Sequence, residues 1–471
     1  MLRNAKLRFI IVVLGVILLH FFLLLNSRFT LWPEMIVYPY LLNNDFLLYR
    51  DIINPYPPFL TWFLAFFSKI FGYFPFPYQI LTWVIILIID LSIFLITKKL
   101  FKKTFYALLS TSFFIFFSIP FGVNGLWFDL VQTPFILWAL YFFWRFLKTS
   151  TKSSTKFHLF NTFLLLAIAF FIKQQVAWVV LLFLVVALAR DKFKVILFLK
   201  IYHKSVLPFV ILLFLLIVYF SMQDNLHNFI FWVFYFPAFL ASKMPGYLDW
   251  PAIRHIVVVM SLFVIFFPIL INRSVKEFLI PVTAGLMLLF AYPRFDFFHL
   301  IPSLAVISLS AGKNLEKIRQ STFAFRVVIL VALILLGTFS LKEYSKLWGR
   351  PVRFFESDIM QAASFIQLIT FPKQTIYIQN GPDQLFPLSK TLPTKPWAIQ
   401  FPWYLEIEGV QEKIVEGIEM KKPSYVVYQP YLVGEKYEIG VYRPKKIAAY
   451  VDKRYDNFFQ FNDNLWFKIR K

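Results

Sequence analysis

WPEMIVYPYLLNNDFLLYRDIINPYPPFLTWFLAFFSKIFG, residues 32–72, carries Glu34, Asp45, Arg50 and Asp51 in its first half and almost only apolar and aromatic residues in its second. One apolar block, 9–25, precedes it, and a long series of others follows from 78 onward. Pro57-Pro58 and Gly72 bound the apolar half. At about 15 residues it is short for a segment that must cross a hydrocarbon core, which takes about 20. Were it to cross, every later basic loop would change sides. Kept uncrossed, 57–71 reads as a helix lying in the membrane interface, where amphipathic aromatic residues settle. That reading makes 27–76 a single outer loop and sets the topology of everything after it.

The composition agrees. Of 471 residues, 59% are hydrophobic and 21% aromatic, with 62 Phe, against about 45–50% apolar in soluble domains. The excess lies before residue 342, in blocks of membrane-spanning size. The first block follows Arg3, Lys6 and Arg8 and is trailed by Asn26-Ser27-Arg28-Phe29, which offers no small-residue cleavage site, so it reads as a retained first span. There is no cysteine, which excludes disulfides, thiolate metal sites and a cysteine nucleophile. The formal net charge is +23. Before residue 342 there are 29 Lys and Arg, and 22 fall in loops assigned to one side, from Arg3 through Lys98–Lys103, Arg145–Lys156, Arg190–Lys204 and Arg273/Lys276 to Lys313–Arg326. That asymmetry is the positive-inside pattern; the basicity encodes topology, and nucleic acid is not a partner.

Two later blocks are too long to be single spans. Residues 157–190 as one helix would measure about 50 Å at about 1.5 Å per residue, against a core of about 30 Å. Both flanks are basic, so the block must turn, and the break is Lys173-Gln174-Gln175. Residues 277–312 repeat the logic, with the break at 292–299, YPRFDFFH. Arms of about 15 residues reach roughly 22 Å, so both tips stay sunk below the outer headgroups. Irregular, charged backbone at that depth is tolerated only where it lines a protein cavity. Counting both hairpins, the chain has about 11 spans. The remainder, 342–471, alternates short apolar runs (375–379, 424–430, 465–469) with helical patterns (353–369, 409–420, 445–455), the signature of a small α/β domain. The expected domains are therefore 1–341 in the membrane and 342–471 outside it, at the plasma membrane, with the N-terminus cytoplasmic.

Of 11 Asp and Glu before residue 342, seven fall in outer loops: Glu34, Asp45, Asp51, Asp129, Asp224, Asp249 and Asp296. Asp191, Glu277 and Glu316 lie inside, and Asp90 lies within a span, where it reads as a buried hydrogen-bonded acid. Mixed polar chemistry thus belongs to the outer face. No phosphate-cradling Gly-rich loop, HExxH or nucleophile elbow is present, so no nucleotide or redox cofactor is expected.

Tyr49-Arg50-Asp51, then Asn54-Pro55-Tyr56-Pro57-Pro58-Phe59, then a helix ending Ile70-Phe71-Gly72, resembles the first outer loop of the GT-C glycosyltransferases, in the bacterial branch related to protein O-mannosyltransferases and aminoarabinose transferases. The family's acidic pair after the first span stands here as Pro33-Glu34, and its glycine is replaced near Asn44-Asp45. The resemblance implies transfer of a sugar from a polyprenyl-phosphate carrier to a glycan, lipid or protein acceptor at the outer face. A carboxylate near the acceptor oxygen removes its proton or holds a divalent cation, Mg2+ or Mn2+, that neutralises the phosphate. Asp51 is the first choice for either role, with Glu34 second and Asp45 third; Asp51 and Glu34 are the candidate metal ligands. Cations that stabilise the departing phosphate are sought among Arg50, Lys173 and Arg294, with Gln174 and His299 beside them. The competing readings are a transporter or flippase of lipid-linked saccharides and a ligase or polymerase of them. A transporter favours ionisable residues at the midplane and repeated halves; only Asp90 lies near a midplane, and no repeat is visible.

Overall fold

The structure, a computed structural model, describes residues 2–149, 151–190, 192–270, 275–429, 443–463 and 465–471. Asp191, Arg273 and Pro430, used above, lie outside the described residues. Contacts group the chain into two compact units interleaved along the sequence. One comprises Met1–Phe29, Gln79–Leu216 and Pro251–Arg350, and the other Thr30–Tyr78, Ile217–Trp250 and Pro351–Lys471. Composition sets the tail apart at 342; contact places it with the first outer loop.

The first unit is helical. Pro75–Phe101, Phe128–Lys148, Ser153–Ile172, Tyr202–Met222 and Phe323–Leu347 are long and apolar enough to cross a membrane. Shorter apolar helices, such as Thr104–Ser118, Gln174–Arg190 and Phe297–Ser308, accompany them. Pro75–Phe101 shows why the class is a membrane protein. Ile86, Ile89, Ile93 and Ile96 recur every three or four residues and are buried, whereas Ile80, Val84, Leu87, Leu91 and Leu95 form an equally apolar exposed stripe. A helix apolar on both faces needs a core on one side and lipid on the other. Inside, Phe143 stacks on Phe183 with centroids 4.2 Å apart. Asp90 is a buried, bonded acid as expected: its Oδ2 lies 2.7 Å from Nδ1 of His20 on the first helix.

The first long block breaks where its length demands. Lys152–Ile172 ends at Lys173, whose backbone is extended (φ −150°), one 3-10 turn covers Gln174–Val176, and Ala177–Arg190 returns. Its first arm is longer than expected, because the Ser/Thr/Lys run read as a loop is helical from Lys152. Thr155 Oγ1 donates to the Thr151 carbonyl at 2.7 Å, so a hydroxyl that competes with helix in isolation instead serves the helix's own first turn. The returning arm is anchored by Arg190, whose guanidinium donates to the Phe146 and Thr149 carbonyls at 2.6 and 2.7 Å, meeting acceptors at the end of Phe128–Lys148 that have no partner within the helix. The second long block is also interrupted, between Met287–Ala291 and Phe297–Leu300, two 3-10 segments.

In the second unit, Phe59–Phe71 forms the expected helix, started by Pro58 and stopped by Gly72, whose φ of 82° suits glycine. Leu60, Leu64, Ala65 and Ser68 face inward, and Phe63, Phe66 and Ile70 face outward. Asn43 donates to the Ala65 carbonyl and to the Tyr73 hydroxyl, both at 2.8 Å, tying Glu34–Leu42 to this helix. The tail contains a four-stranded mixed sheet in the order β1-β2-β4-β3, with β1 Tyr377–Gln379, β2 Tyr425–Tyr428, β3 Tyr455–Asn462 and β4 Leu465–Arg470. β1 and β2 are parallel, and β4 runs antiparallel to β2 and β3. Strand β3 is absent from the sequence reading. Its Asp, Asn and Gln depress β propensity, and it is an edge strand with an exposed run at its centre, so periodicity carries little signal there.

Candidate functional site

Each unit holds a cluster of charged side chains. In the first, three hairpin tips supply one residue each. Gly122, at φ 81°, a conformation that suits glycine, shapes the first tip, and a Cβ there would press on Phe298 of the third, 3.2 Å from its Cβ. Phe128–Lys148 then begins, placing Asp129 in its first turn, where the helix's N-terminal N–H groups favour an anion. Asp129 is completely buried. Its Oδ1 accepts from Gln132 Nε2 at 3.0 Å. Its Oδ2 accepts from Lys173 Nζ at 2.6 Å and lies 2.7 Å from His299 Nδ1. Lys173, 3% exposed, stands 3.2 Å from the same ring nitrogen. Gln175 Nε2 donates to the Tyr292 carbonyl at 2.9 Å, joining the second and third tips.

The trio has a clear physical logic. A buried ammonium costs several kcal/mol of desolvation unless it is paired, and Asp129 pairs it. With Nδ1 turned to Asp129, the Nε2 edge of the imidazole points away from the trio. A carboxylate that fixes both a lysine and a histidine holds their donors in a set arrangement, which needs no rearrangement when a further polar group arrives. The sequence reading named Lys173 and His299 and counted Asp129 only among the outer acids. The usable signal was an acid opening an apolar span immediately after a tip. Arg294 is half-buried on the third tip and Gln174 half-buried in the turn after Lys173; neither is among the bonds that hold Asp129.

In the second unit the candidate acids are placed very differently from one another. Asp45 is exposed, with a left-handed backbone (φ 64°), and it is its carbonyl that is engaged, by Lys395 Nζ at 2.6 Å. Asp51 is 7% exposed. Its Oδ2 accepts from Lys395 Nζ and from the Leu47 N–H, both at 3.0 Å, and its Oδ1 accepts from Arg50 Nε at 3.3 Å. The cation facing Asp51 is thus a tail lysine. Glu34 starts its helix directly after Pro33 and is buried. A further acid, Asp383 from the tail, is buried within the influence of Glu34. Burial, reinforced by the Glu34 charge, pushes its carboxyl well above the ordinary carboxylate range, against the opposing hydrogen bonds from the Trp397 side chain and the Gln400 backbone. Among the described residues, no three His, Asp or Glu side chains gather as a metal-binding group, and the oxygens of Asp51 are already occupied.

The elevated Asp383 carboxyl gives a pH dependence. The folded chain keeps this proton at pH values where the unfolded chain has lost it, above about 3.9. The stabilisation is therefore complete below that value and drains away as pH rises through the elevated pKa. Asp383→Asn keeps the group neutral. Its thermal midpoint is expected to decline less than that of the parent between about pH 5 and pH 8; parallel declines in the two proteins contradict the assignment.

Residues 55–221 match the family model described as Dolichyl-phosphate-mannose-protein mannosyltransferase. No curated protein sequence matches the chain. Among solved structures, ArnT from Cupriavidus metallidurans bound to undecaprenyl phosphate shares the fold with a TM-score of 0.59 at 10% identity, covering 99% of this chain and 98% of that one. The apo form of the same protein gives 0.56 at 11% identity, covering 98% of each chain. The oligosaccharyltransferase of Archaeoglobus fulgidus, in complex with Zn and sulfate, gives 0.47 at 14% identity over 98% of this chain and 73% of that one. The chain is thus similar to the protein mannosyltransferase family over 55–221, and it shares its fold with ArnT along nearly its whole length. Pro57, Pro58 and Gly72, read from the sequence as family marks, lie inside the matched segment.

Proposed function

We propose that this chain is an integral-membrane glycosyltransferase that moves a sugar from a polyprenyl-phosphate carrier to an acceptor at the outer face. The observation that carries the reading is the buried Asp129–Lys173–His299 trio at three hairpin tips of a GT-C-type fold. Lys173 meets the donor phosphate, Asp129 holds it in place, and His299, Gln174 and Arg294 on the same tips complete the anion site. The acceptor hydroxyl gives its proton to a carboxylate, and its oxygen bonds to the anomeric carbon as the bond from that carbon to the phosphate oxygen breaks. Within the second unit, taken by itself, Glu34 is the carboxylate proposed for that role. The phosphate leaves with the electron pair, and the charge it gains is what Lys173 stabilises. The ArnT structure, described as bound to undecaprenyl phosphate, supports a lipid-linked donor. The outward Phe63, Phe66 and Ile70 of Phe59–Phe71 suit a helix resting on the bilayer. The N-terminus is assigned to the cytoplasmic side and the tail to the outer side.

The test is purified protein in nanodiscs with a panel of radiolabelled polyprenyl-phosphate sugars and glycan, lipid and protein acceptors. Label is expected to transfer from at least one donor. Transfer is also expected to persist in excess EDTA, since the chemistry above uses protein cations. Loss on chelation with recovery on Mg2+ or Mn2+ would assign a metal to Glu34. No transfer across the panel, together with no binding of undecaprenyl phosphate, would remove the reading.

A further inference from the structure

The strongest unexplained feature is the way one tail segment, 391–400, engages the first outer loop. Trp397 donates its backbone N–H to the Asp51 carbonyl at 2.8 Å and accepts from the Ile53 N–H at 3.0 Å. Its ring meets Tyr38, on Glu34–Leu42, edge-on at 5.8 Å. Two residues earlier, Lys395 reaches both the Asp51 carboxylate and the Asp45 carbonyl and lies 4.3 Å over the Phe46 ring. Its main chain has no room to retreat, because a Cβ on Gly417 would sit 2.3 Å from the Lys395 carbonyl oxygen.

The loop so held is a costly one. Asp45 and Tyr49 both adopt positive φ, 64° and 69°, a conformation non-glycine residues avoid and keep only when their surroundings impose it. Asp51 N–H closes back on the Leu47 carbonyl at 2.8 Å, and Tyr49 N–H on that of Ile52 at 2.8 Å. The carboxylate of Asp51 spans the same knot from the inside, on the Leu47 N–H. The carboxylate oxygens of Asp51 already accept from an ammonium, a guanidinium and a main-chain N–H, so its acceptor positions are committed to holding the loop.

We propose that Lys395 is a positioning residue for the transfer reaction, that Asp51 is its anchor rather than the base, and that the tail holds the first outer loop in its working shape. The proposal rests on the glycosyltransferase reading for its kinetic consequence, but its structural half stands alone. The Lys395 side chain is 41% exposed, and pairs of that kind add little to global stability. Its effect is local, on the geometry of 43–56 and of the helix that carries Glu34.

The experiment compares Lys395→Met, Lys395→Arg, Asp51→Asn and the double variant Asp51→Asn/Lys395→Met in two assays. In hydrogen exchange, the amides of Leu47, Asp51 and Ile53 are expected to exchange faster in Lys395→Met and Asp51→Asn, with the thermal midpoint nearly unchanged. In transfer assays, each of those single variants is expected to lose roughly 10- to 100-fold in kcat, as small misplacements near a reacting centre do. The double variant is expected to lose no more than the worse single, since both remove one clamp. Lys395→Arg is expected to recover most of the activity. Activity abolished in Asp51→Asn but near parental in Lys395→Met, with unchanged exchange, would overturn the proposal and make Asp51 the base. If the parent shows no transfer, the glycosyltransferase reading fails, while the exchange data still decide the clamp.

Discussion

Asp129→Asn is expected to cost about 3–5 kcal/mol of stability, the range seen when one partner of a buried pair is removed, and to abolish productive donor binding. The amide keeps the size of the side chain. It leaves the Lys173 ammonium, 3% exposed, without its counter-charge. Loss of activity alone would not separate folding from function, so the decisive variant is Asp129→Asn/Lys173→Met. Removing both charges returns much of the stability, because apolar replacements of buried ion pairs are often neutral. It does not return the cation that the donor phosphate needs. Thermal unfolding in detergent and binding of undecaprenyl phosphate are the two measurements. A double variant that is stable and still binds donor like the parent would take Lys173 out of the site.

Glu34→Gln is expected to lower kcat by roughly 10²–10⁴, the usual contribution of a positioned base, while leaving the KM for the donor close to that of the parent. Asp45 is exposed and engaged through its carbonyl, and Asp51 has both oxygens occupied. Glu34 is buried at the start of a helix anchored by Asn43 to Phe59–Phe71, so its position is set by packing rather than by a flexible loop. If Glu34→Gln raised KM for the donor and left kcat alone, the residue would be binding the donor instead of taking a proton. Single-turnover measurements with saturating donor distinguish the two.

Much of the architecture was legible in the residues. A block of fixed length must turn if a bilayer is thinner than it is long, and this located the break at Lys173 to the residue. The bounds of Phe59–Phe71 were written by Pro58 and Gly72, which act through their own backbone geometry. Strands β1, β2 and β4 showed because their apolar runs are short and rich in β-branched and aromatic side chains. Strand β3 did not, because its aromatic residues are mixed with Asp456, Asn457, Gln460 and Asn462 without a strict alternation and it lies at an edge. The candidate cluster was half legible: Lys173 and His299 stood out as polar residues at depths where a membrane protein tolerates few, but nothing local tied them to Asp129, whose contact with both is a finding of the structure.

What the amino-acid order determined by itself was the set of elements and their ends, because span length, charge asymmetry, helix caps and turn residues all act within a few residues of where they are written. What only the tertiary structure decided was which charges meet. Asp129 joins a lysine 44 residues away and that lysine a histidine 126 further on, and Asp51 is claimed by a lysine 344 residues later. Such pairings carry no period and no local preference. They exist because a charge withdrawn from water must find its opposite, and which one lies within reach is settled by packing.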